Sequence, residues 1–95
     1  MKTFLLFVTY TAKDGMRENF VNELETSGAA DLVRQEEGCL RYDYFYDAKN
    51  PNNVLLFEEW ESKKHQEIHM TQPHIETIKA IKEKYIASVD LKTAE

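Results

Sequence analysis

Residues suited to acid–base chemistry lie in one short stretch of this 95-residue chain. The only tryptophan and all three histidines fall within 15 residues: Trp60, His65, His69 and His74. His65 and His69 are four residues apart, so they share one face of a helix. His74 lies at the start of a following helix, where the helix dipole favours a neutral imidazole. Because a neutral imidazole can act as a general base or orient a hydroxyl, we predict a site formed by His69, His74 and Trp60.

Structural roles would also explain these residues. Trp60 ends a predicted strand and could be a core residue, and His69 and His74 could be caps or half-buried core residues. His65 has lysines and glutamates around it, so we expect it to face solvent. His65, His69 and His74 are an alternative metal-binding set, because the HxxxH spacing of the first two suits one ion, but Pro73 interrupts the segment and no carboxylate partner is evident. We therefore predict no metal site.

Two further side chains have alternative interpretations. Glu58 shares a strand face with Trp60, because it precedes that residue by two positions. If helices cover this face, Glu58 is a semi-buried carboxylate of the site, and otherwise it lies at a subunit interface. Tyr42 likewise lines a pocket or packs in that interface. No nucleophile triad, phosphate-binding glycine loop or zinc-finger spacing is present in the sequence.

The composition limits the partners of the protein. Seventeen acidic and 12 basic residues give a net charge of −5, whereas nucleic acids and anionic membranes attract basic surfaces. We expect neither partner. The single cysteine, Cys39, excludes an intrachain disulfide. The apolar start of the chain is too short for a signal peptide or a membrane span, so we expect one cytoplasmic domain over residues 1–95.

Hydrophobic patterning predicts four strands. They are expected at residues 4–11, 39–47, 54–61 and 85–91, where apolar and aromatic residues run together or alternate. Residues 92–95 are expected to fray.

The intervening segments have helical spacing. One helix is predicted from residue 15 to 35, with Asp14 as its N-cap and a weak point at residues 27–28. Ser62 is expected to cap a helix that ends near residue 70, because Pro73 disfavours helical geometry in the residue before it. Pro73 then starts the last helix, whose apolar stripe contains three isoleucines: Ile75, Ile78 and Ile81.

The element order β-α-β-β-α-β predicts an α+β, ferredoxin-like fold with a four-stranded antiparallel sheet. Its helices can cover only one sheet face, yet residues 4–8 and 54–57 are apolar on both sides. An exposed apolar face of that size is rare on a monomer. We therefore predict a homodimer in which two sheets pack face to face as a dimeric α+β barrel.

Three motifs resemble the antibiotic biosynthesis monooxygenase family. They are EEGCLRY at residues 36–42, FEEWES at residues 57–62 and HxxxPH at residues 69–74. The similarity extends from the first predicted strand to the last. It implies the ferredoxin-like fold, the sheet-to-sheet dimer, and a substrate pocket between the helices and the sheet of each subunit.

For several members, the resemblance implies oxygenation of small phenols or quinols by O2 without metal, flavin or another cofactor. A deprotonated dihydroxyaromatic can itself reduce dioxygen, so the protein need only supply a shielded pocket that holds the phenolate. The expected catalytic residues are His74, His69 and Trp60. The expected substrate-binding residues are Phe20, Tyr42, Phe57 and Glu58. The alternatives are an isomerase of a small phosphorylated signalling metabolite and a non-catalytic small-molecule-binding or stress-response protein.

Overall fold

Four strands and four helices form residues 2–95, the part of the chain that this computed structural model describes. In order they are β1 (Phe4–Ala12), α1 (Arg17–Thr26), α2 (Ala29–Arg34), β2 (Cys39–Tyr46), β3 (Asn53–Trp60), α3 (Lys63–His69), α4 (His74–Tyr85) and β4 (Ile86–Ala94). The strands form one antiparallel sheet in the order β2-β3-β1-β4. The predicted ferredoxin-like fold is confirmed. None of the helices in residues 2–95 has the length and apolarity needed to cross a membrane.

The predicted weak point at residues 27–28 is a break that divides the first helical segment into two helices, α1 and α2. Gly28 has a φ of 82°, a left-handed conformation that glycine adopts without steric cost, so the chain turns there before α2 begins. The predicted N-cap, Asp14, is wrong. Helix α1 begins after Met16 without a side-chain cap, and the Asp14 carboxylate accepts a hydrogen bond from Asn52.

The last strand is longer than predicted. Residues 92–94 were expected to fray, but Thr93 pairs with Leu6 and Ala94 pairs with Leu5. Strand β3 pairs with one edge of β1, and the backbone N–H and C=O groups along the other edge would lack partners without β4. Pairing with β4 satisfies them, and this extends β4 to Ala94. The prediction of a frayed end is therefore wrong up to Ala94.

The core lies between the helices and one face of the sheet. Every second residue of β3 is buried on this face: Val54, Leu56, Glu58 and Trp60. Helix α4 contributes the three predicted isoleucines, each at most 6% exposed: Ile75, Ile78 and Ile81. A fully buried isoleucine stabilises a fold by about 1.5–3 kcal/mol. This burial holds α4 against the sheet, and α4 thereby covers the site described below.

The opposite face of the sheet carries none of the four helices. We call it the open sheet face; its large apolar residues are Leu5, Phe7, Phe45, Leu55 and Phe57. Strand alternation puts them there, because the residues between them face the core. The rings of Phe7 and Phe57 lie 5.2 Å apart, and Phe45 is 45% exposed.

Candidate active site

A cavity of about 200 Å³ lies between the sheet and helices α3 and α4. Its apolar walls include Leu6, Val8, Ile75, Ile78, Val89 and Leu91, and its polar lining residues are Tyr10, Tyr42, Glu58, Gln66, His69, Lys79 and Lys82. A dry cavity of about 150 Å³ is enough to hold benzene. This cavity therefore has room for one substituted aromatic ring.

Helix α3 delivers His69 to the cavity wall. As predicted, the Ser62 hydroxyl caps this helix by accepting from the backbone N–H of His65. The helix ends at His69, four residues before Pro73. The His69 side chain is buried, and its ring centroid lies 4.7 Å from that of Trp60. Local capping and chain breaking thus place an imidazole over the indole.

Glu36 joins the two predicted catalytic histidines. Its Oε2 lies 2.8 Å from Nδ1 of His69 and 2.7 Å from Nε2 of His74. The Glu36 side chain is only 10% exposed. An ionised carboxylate can only accept hydrogen bonds, so each of these nitrogens donates to it when Glu36 is charged. The three residues form a carboxylate-centred hydrogen-bonded triad.

The triad selects one tautomer of a neutral His69. When Nδ1 carries the proton, Nε2 has the free lone pair, and that atom makes no hydrogen bond within residues 2–95. His69 lines the cavity, and Nε2 is the ring nitrogen that its contact with Glu36 leaves unoccupied. A carboxylate behind an imidazole holds its orientation and stabilises the imidazolium that forms on proton uptake. The arrangement is suited to a general base.

Glu58 is the second carboxylate of the cavity. Its Oε1 accepts a hydrogen bond of 3.0 Å from Nε1 of Trp60, which is completely buried beneath the cavity. Burial raises the pKa of Glu58, although the Trp60 hydrogen bond and the interactions with His69 and Lys82 act in the opposite direction. Trp60 therefore orients Glu58 and supports His69, and does not itself line the cavity.

Three tyrosines stand beside these carboxylates. Burial raises the pKa of Tyr10, Tyr42 and Tyr44 above the usual tyrosine value, so all three phenols stay neutral near pH 7. The Tyr44 hydroxyl donates to the Tyr42 hydroxyl over 3.3 Å. Tyr10 and Tyr42 reach the cavity, where neutral phenols can donate to a bound anion.

Two predicted substrate-binding residues do not line the cavity. Phe57 lies on the open sheet face, because its neighbour Glu58 faces the helices and adjacent strand residues point to opposite sides. Phe20 is 1% exposed and packs in the core against Tyr44 and the cavity-lining Tyr10, but Phe20 itself is not a lining residue. Neither Phe57 nor Phe20 is therefore a wall of this cavity.

The histidines also divide into different roles. His74 does not line the cavity, and its side-chain hydrogen bond within residues 2–95 is to Glu36. His65 hydrogen-bonds to Ser62 and lies outside the cavity. Glu36 was missed as a site residue, although it opens the EEGCLRY motif at residues 36–42.

One group of residues could hold a metal ion. Glu36, His69 and His74 offer three ligand atoms within 4.8 Å of one another. The predicted alternative set contained His65, whose place Glu36 takes. Two imidazoles and one carboxylate are a donor set that Zn²⁺ and Fe²⁺ accept. The distances of 2.7 and 2.8 Å equally fit two hydrogen bonds in which both imidazoles donate to the same oxygen of Glu36.

Comparisons with known proteins agree with this architecture. The family model described as antibiotic biosynthesis monooxygenase matches residues 3–81, from β1 into α4. A comparison with curated protein sequences gives no match.

Solved structures share the fold at low sequence identity. A protein of Pseudomonas aeruginosa is 24% identical with a TM-score of 0.85, over 99% of this chain and 93% of that one. A conserved protein of Methanosarcina mazei Go1 is 18% identical with a TM-score of 0.88, over 100% and 93%. A crystal structure of an antibiotic biosynthesis monooxygenase is 19% identical with a TM-score of 0.82, over 97% and 96%. At these identities the similarity establishes the fold.

Proposed function

The chain belongs to the antibiotic biosynthesis monooxygenase family, and we propose that it oxidises a small quinol-like or phenolic substrate with O2 without a cofactor. The observation that carries this proposal is the position of His69 in the cavity lining, with its Nδ1 2.8 Å from the Glu36 carboxylate and its Nε2 free of hydrogen bonds within residues 2–95. Quinol oxidation by dioxygen requires a base and shelter from water, and the cavity supplies both.

The proposed reaction starts with proton transfer from a substrate hydroxyl to Nε2 of His69. The imidazolium is stabilised by Glu36, while Tyr42 donates a hydrogen bond to the phenolate. The electron-rich phenolate then reduces O2, and one oxygen atom forms a bond to the ring. The other oxygen leaves as water, so a quinol and O2 give a hydroxyquinone and H2O. The substrate supplies all the electrons.

Glu36 also gives the proton a way out of the cavity. The same carboxylate oxygen contacts His74, and Glu36 lines a second, shallow cavity of about 210 Å³ together with His65 and Gln72. A proton taken up at His69 can therefore reach the outside through Glu36 or His74. In this scheme His74 is a positioning and relay residue.

Oxygen uptake with a panel of hydroquinones tests the proposal. General-base catalysis typically contributes about 10²–10⁴-fold, so we expect His69→Gln to lower kcat/KM by at least about 100-fold. Lys64→Gln is the control, because Lys64 is an exposed residue of the same helix and lines neither cavity. Uptake no faster than the uncatalysed rate across the panel would refute the proposal.

Two further measurements distinguish the proposed cofactor-independent oxygenase from an isomerase and from a metal-dependent enzyme. Turnover of a substrate under strict anaerobiosis would identify an isomerase and contradict the proposed oxygenase. Metal analysis of the active protein, together with activity after chelation, tests the Glu36–His69–His74 group. Loss of activity on chelation and its recovery with one divalent metal would contradict the absence of a cofactor.

We further propose that two copies pair through the open sheet face. Its apolar centre is flanked by charges of both signs, such as Arg41 beside Asp43 and Glu59, so a two-fold axis can oppose unlike charges. We expect a dimer by light scattering, and a monomer for Phe57→Glu. Leu32→Glu, an exposed leucine on α2, is the control and should leave the dimer intact. A monomeric wild-type protein at micromolar concentration would refute this pairing.

A further inference from the structure

The cavity has a cationic region that the proposed reaction does not use. Lys79 and Lys82, nearly one turn apart on α4, both belong to its lining. Lys82 is half-buried and makes no ion pair or hydrogen bond within residues 2–95, and its Nζ lies 5.8 Å from the Tyr10 ring centroid. Lys79 has only a 3.6 Å contact to the exposed Glu76, a kind of pair that stabilises little.

An unpaired ammonium group in this position has a cost. Burial lowers the pKa of Lys82, and the opposing charge of Glu58 only partly offsets that effect. The chain has 17 acidic residues, yet none lies within ion-pair distance of Lys82 in the described part of the chain. A partly desolvated cation without a partner is stabilised by any anion that enters the cavity.

The lysines are separated from the triad along α4. At 1.5 Å per residue, Lys79 is about 7.5 Å and Lys82 about 12 Å along the helix axis from His74. Aliphatic residues of the sheet and of α4 line the same cavity: Leu6, Val8, Ile78 and Leu91. The cavity lining therefore contains a base on α3, a cationic region on α4 and apolar surface for a ring.

We propose that the substrate is an aromatic anion, whose carboxylate, sulfonate or phosphate group binds Lys82 and Lys79 while its hydroxyl group meets His69. This inference rests on the proposed function for the role of His69. Lys82 and Lys79 then determine specificity, and they select ionised ring compounds over neutral ones of the same size.

Anaerobic calorimetry measures this selection without turnover. The matched probes are 2,5-dihydroxybenzoate and the neutral 2-methylhydroquinone. We expect the anion to bind at least about tenfold more tightly to the wild-type protein, and increasing salt to weaken only its binding. The corresponding quinol sulfonate and quinol monophosphate then show which anionic group the site prefers.

Substitutions assign the effect to the lysines. Lys82→Met keeps an aliphatic stem without the charge and should abolish the preference, Lys82→Arg should retain it, and Lys79→Met should reduce it. Lys49→Met, in the exposed turn between β2 and β3, is the control for net charge. Equal affinity for both probes, or an unchanged preference in Lys82→Met, would overturn the inference.

The two proposals fail in different ways. Tight, Lys82-dependent binding of anions with no oxygen uptake would support the anion site and refute the oxygenase. Rapid oxidation of neutral quinols, with no advantage for the anionic ones, would support the oxygenase and refute the anion site.

Discussion

Removal of the Glu36 carboxylate tests the triad independently of any substrate. Glu36→Ala leaves the Nδ1–H of His69 and the Nε2–H of His74 without their acceptor, and both side chains are at most 14% exposed. An orphaned buried donor costs about 1–3 kcal/mol, and loss of one partner from a buried charged group costs about 3–5 kcal/mol. We therefore expect Glu36→Ala to lower the free energy of unfolding by about 3–5 kcal/mol.

Urea denaturation provides the measurement. A domain of this length has a total stability of about 5–14 kcal/mol, so the expected loss is a large part of it. With a urea slope near 1.3 kcal/mol/M, the midpoint should fall by roughly 2–4 M. Glu37→Ala is the control, because this exposed neighbour makes no side-chain contact to either imidazole.

A double-mutant cycle attributes the loss to the triad. In a His74→Ala background, Glu36→Ala deprives only His69 of its acceptor, so its cost should fall by at least about 1 kcal/mol. If Glu36→Ala is too unstable to measure, Glu36→Gln keeps the shape and should cost about half as much. A cost for Glu36→Ala similar to that of Glu37→Ala, or no coupling to His74, would refute the triad.

Three further predictions concern buried or crowded positions. Burial raises the pKa of Glu58 above its ordinary value of 4.5, so the folded state holds the carboxyl proton at a pH where the unfolded state has lost it. The free energy of unfolding should therefore fall as the pH rises above 4.5, and Glu58→Gln should remove that fall. Parallel pH profiles for the two proteins would contradict this prediction. Burial raises the pKa of Cys39 to about 11, which leaves less of the reactive thiolate at neutral pH. Iodoacetamide should therefore modify Cys39 about 100-fold more slowly than free cysteine. A rate within tenfold of free cysteine would refute this prediction. Gly38→Ala should lower the unfolding free energy by more than about 2 kcal/mol, because the backbone has φ +83° and the new Cβ would clash with the His65 ring. Gly15 has a similar φ but no atoms near the position of a new Cβ, so Gly15→Ala should cost about 1 kcal/mol. Equal costs for the two variants would contradict the clash.

Local patterns predicted the order of elements correctly. Alternation identified the strands, and Ser62 and Pro73 marked the boundaries of α3 and α4, because capping and proline geometry act within a few residues. The same local rule excludes Phe57 from the site. Phe57 and Glu58 are adjacent on one strand and cannot both face one cavity, so that error was avoidable from the sequence.

Other parts of the site depend on residues that are far apart in the chain. Glu36 is 33 residues from His69 and 38 from His74, and its carboxylate meets both imidazoles only after the loop before β2 packs beside α3 and α4. The unpaired state of Lys82 is likewise a property of the cavity. A sequence lists candidate acceptors and cations but not which of them meet.

The sequence by itself determined which residues share a face of each strand or helix, because the periods of 2 and 3.6 residues follow from backbone geometry. The tertiary structure decided which face of the sheet the helices cover. Glu58 is therefore enclosed, whereas Phe57 lies on the open sheet face. It also decided that Glu36 joins His69 to His74. These outcomes depend on how helices and sheet pack together, which is set by contacts across the whole chain.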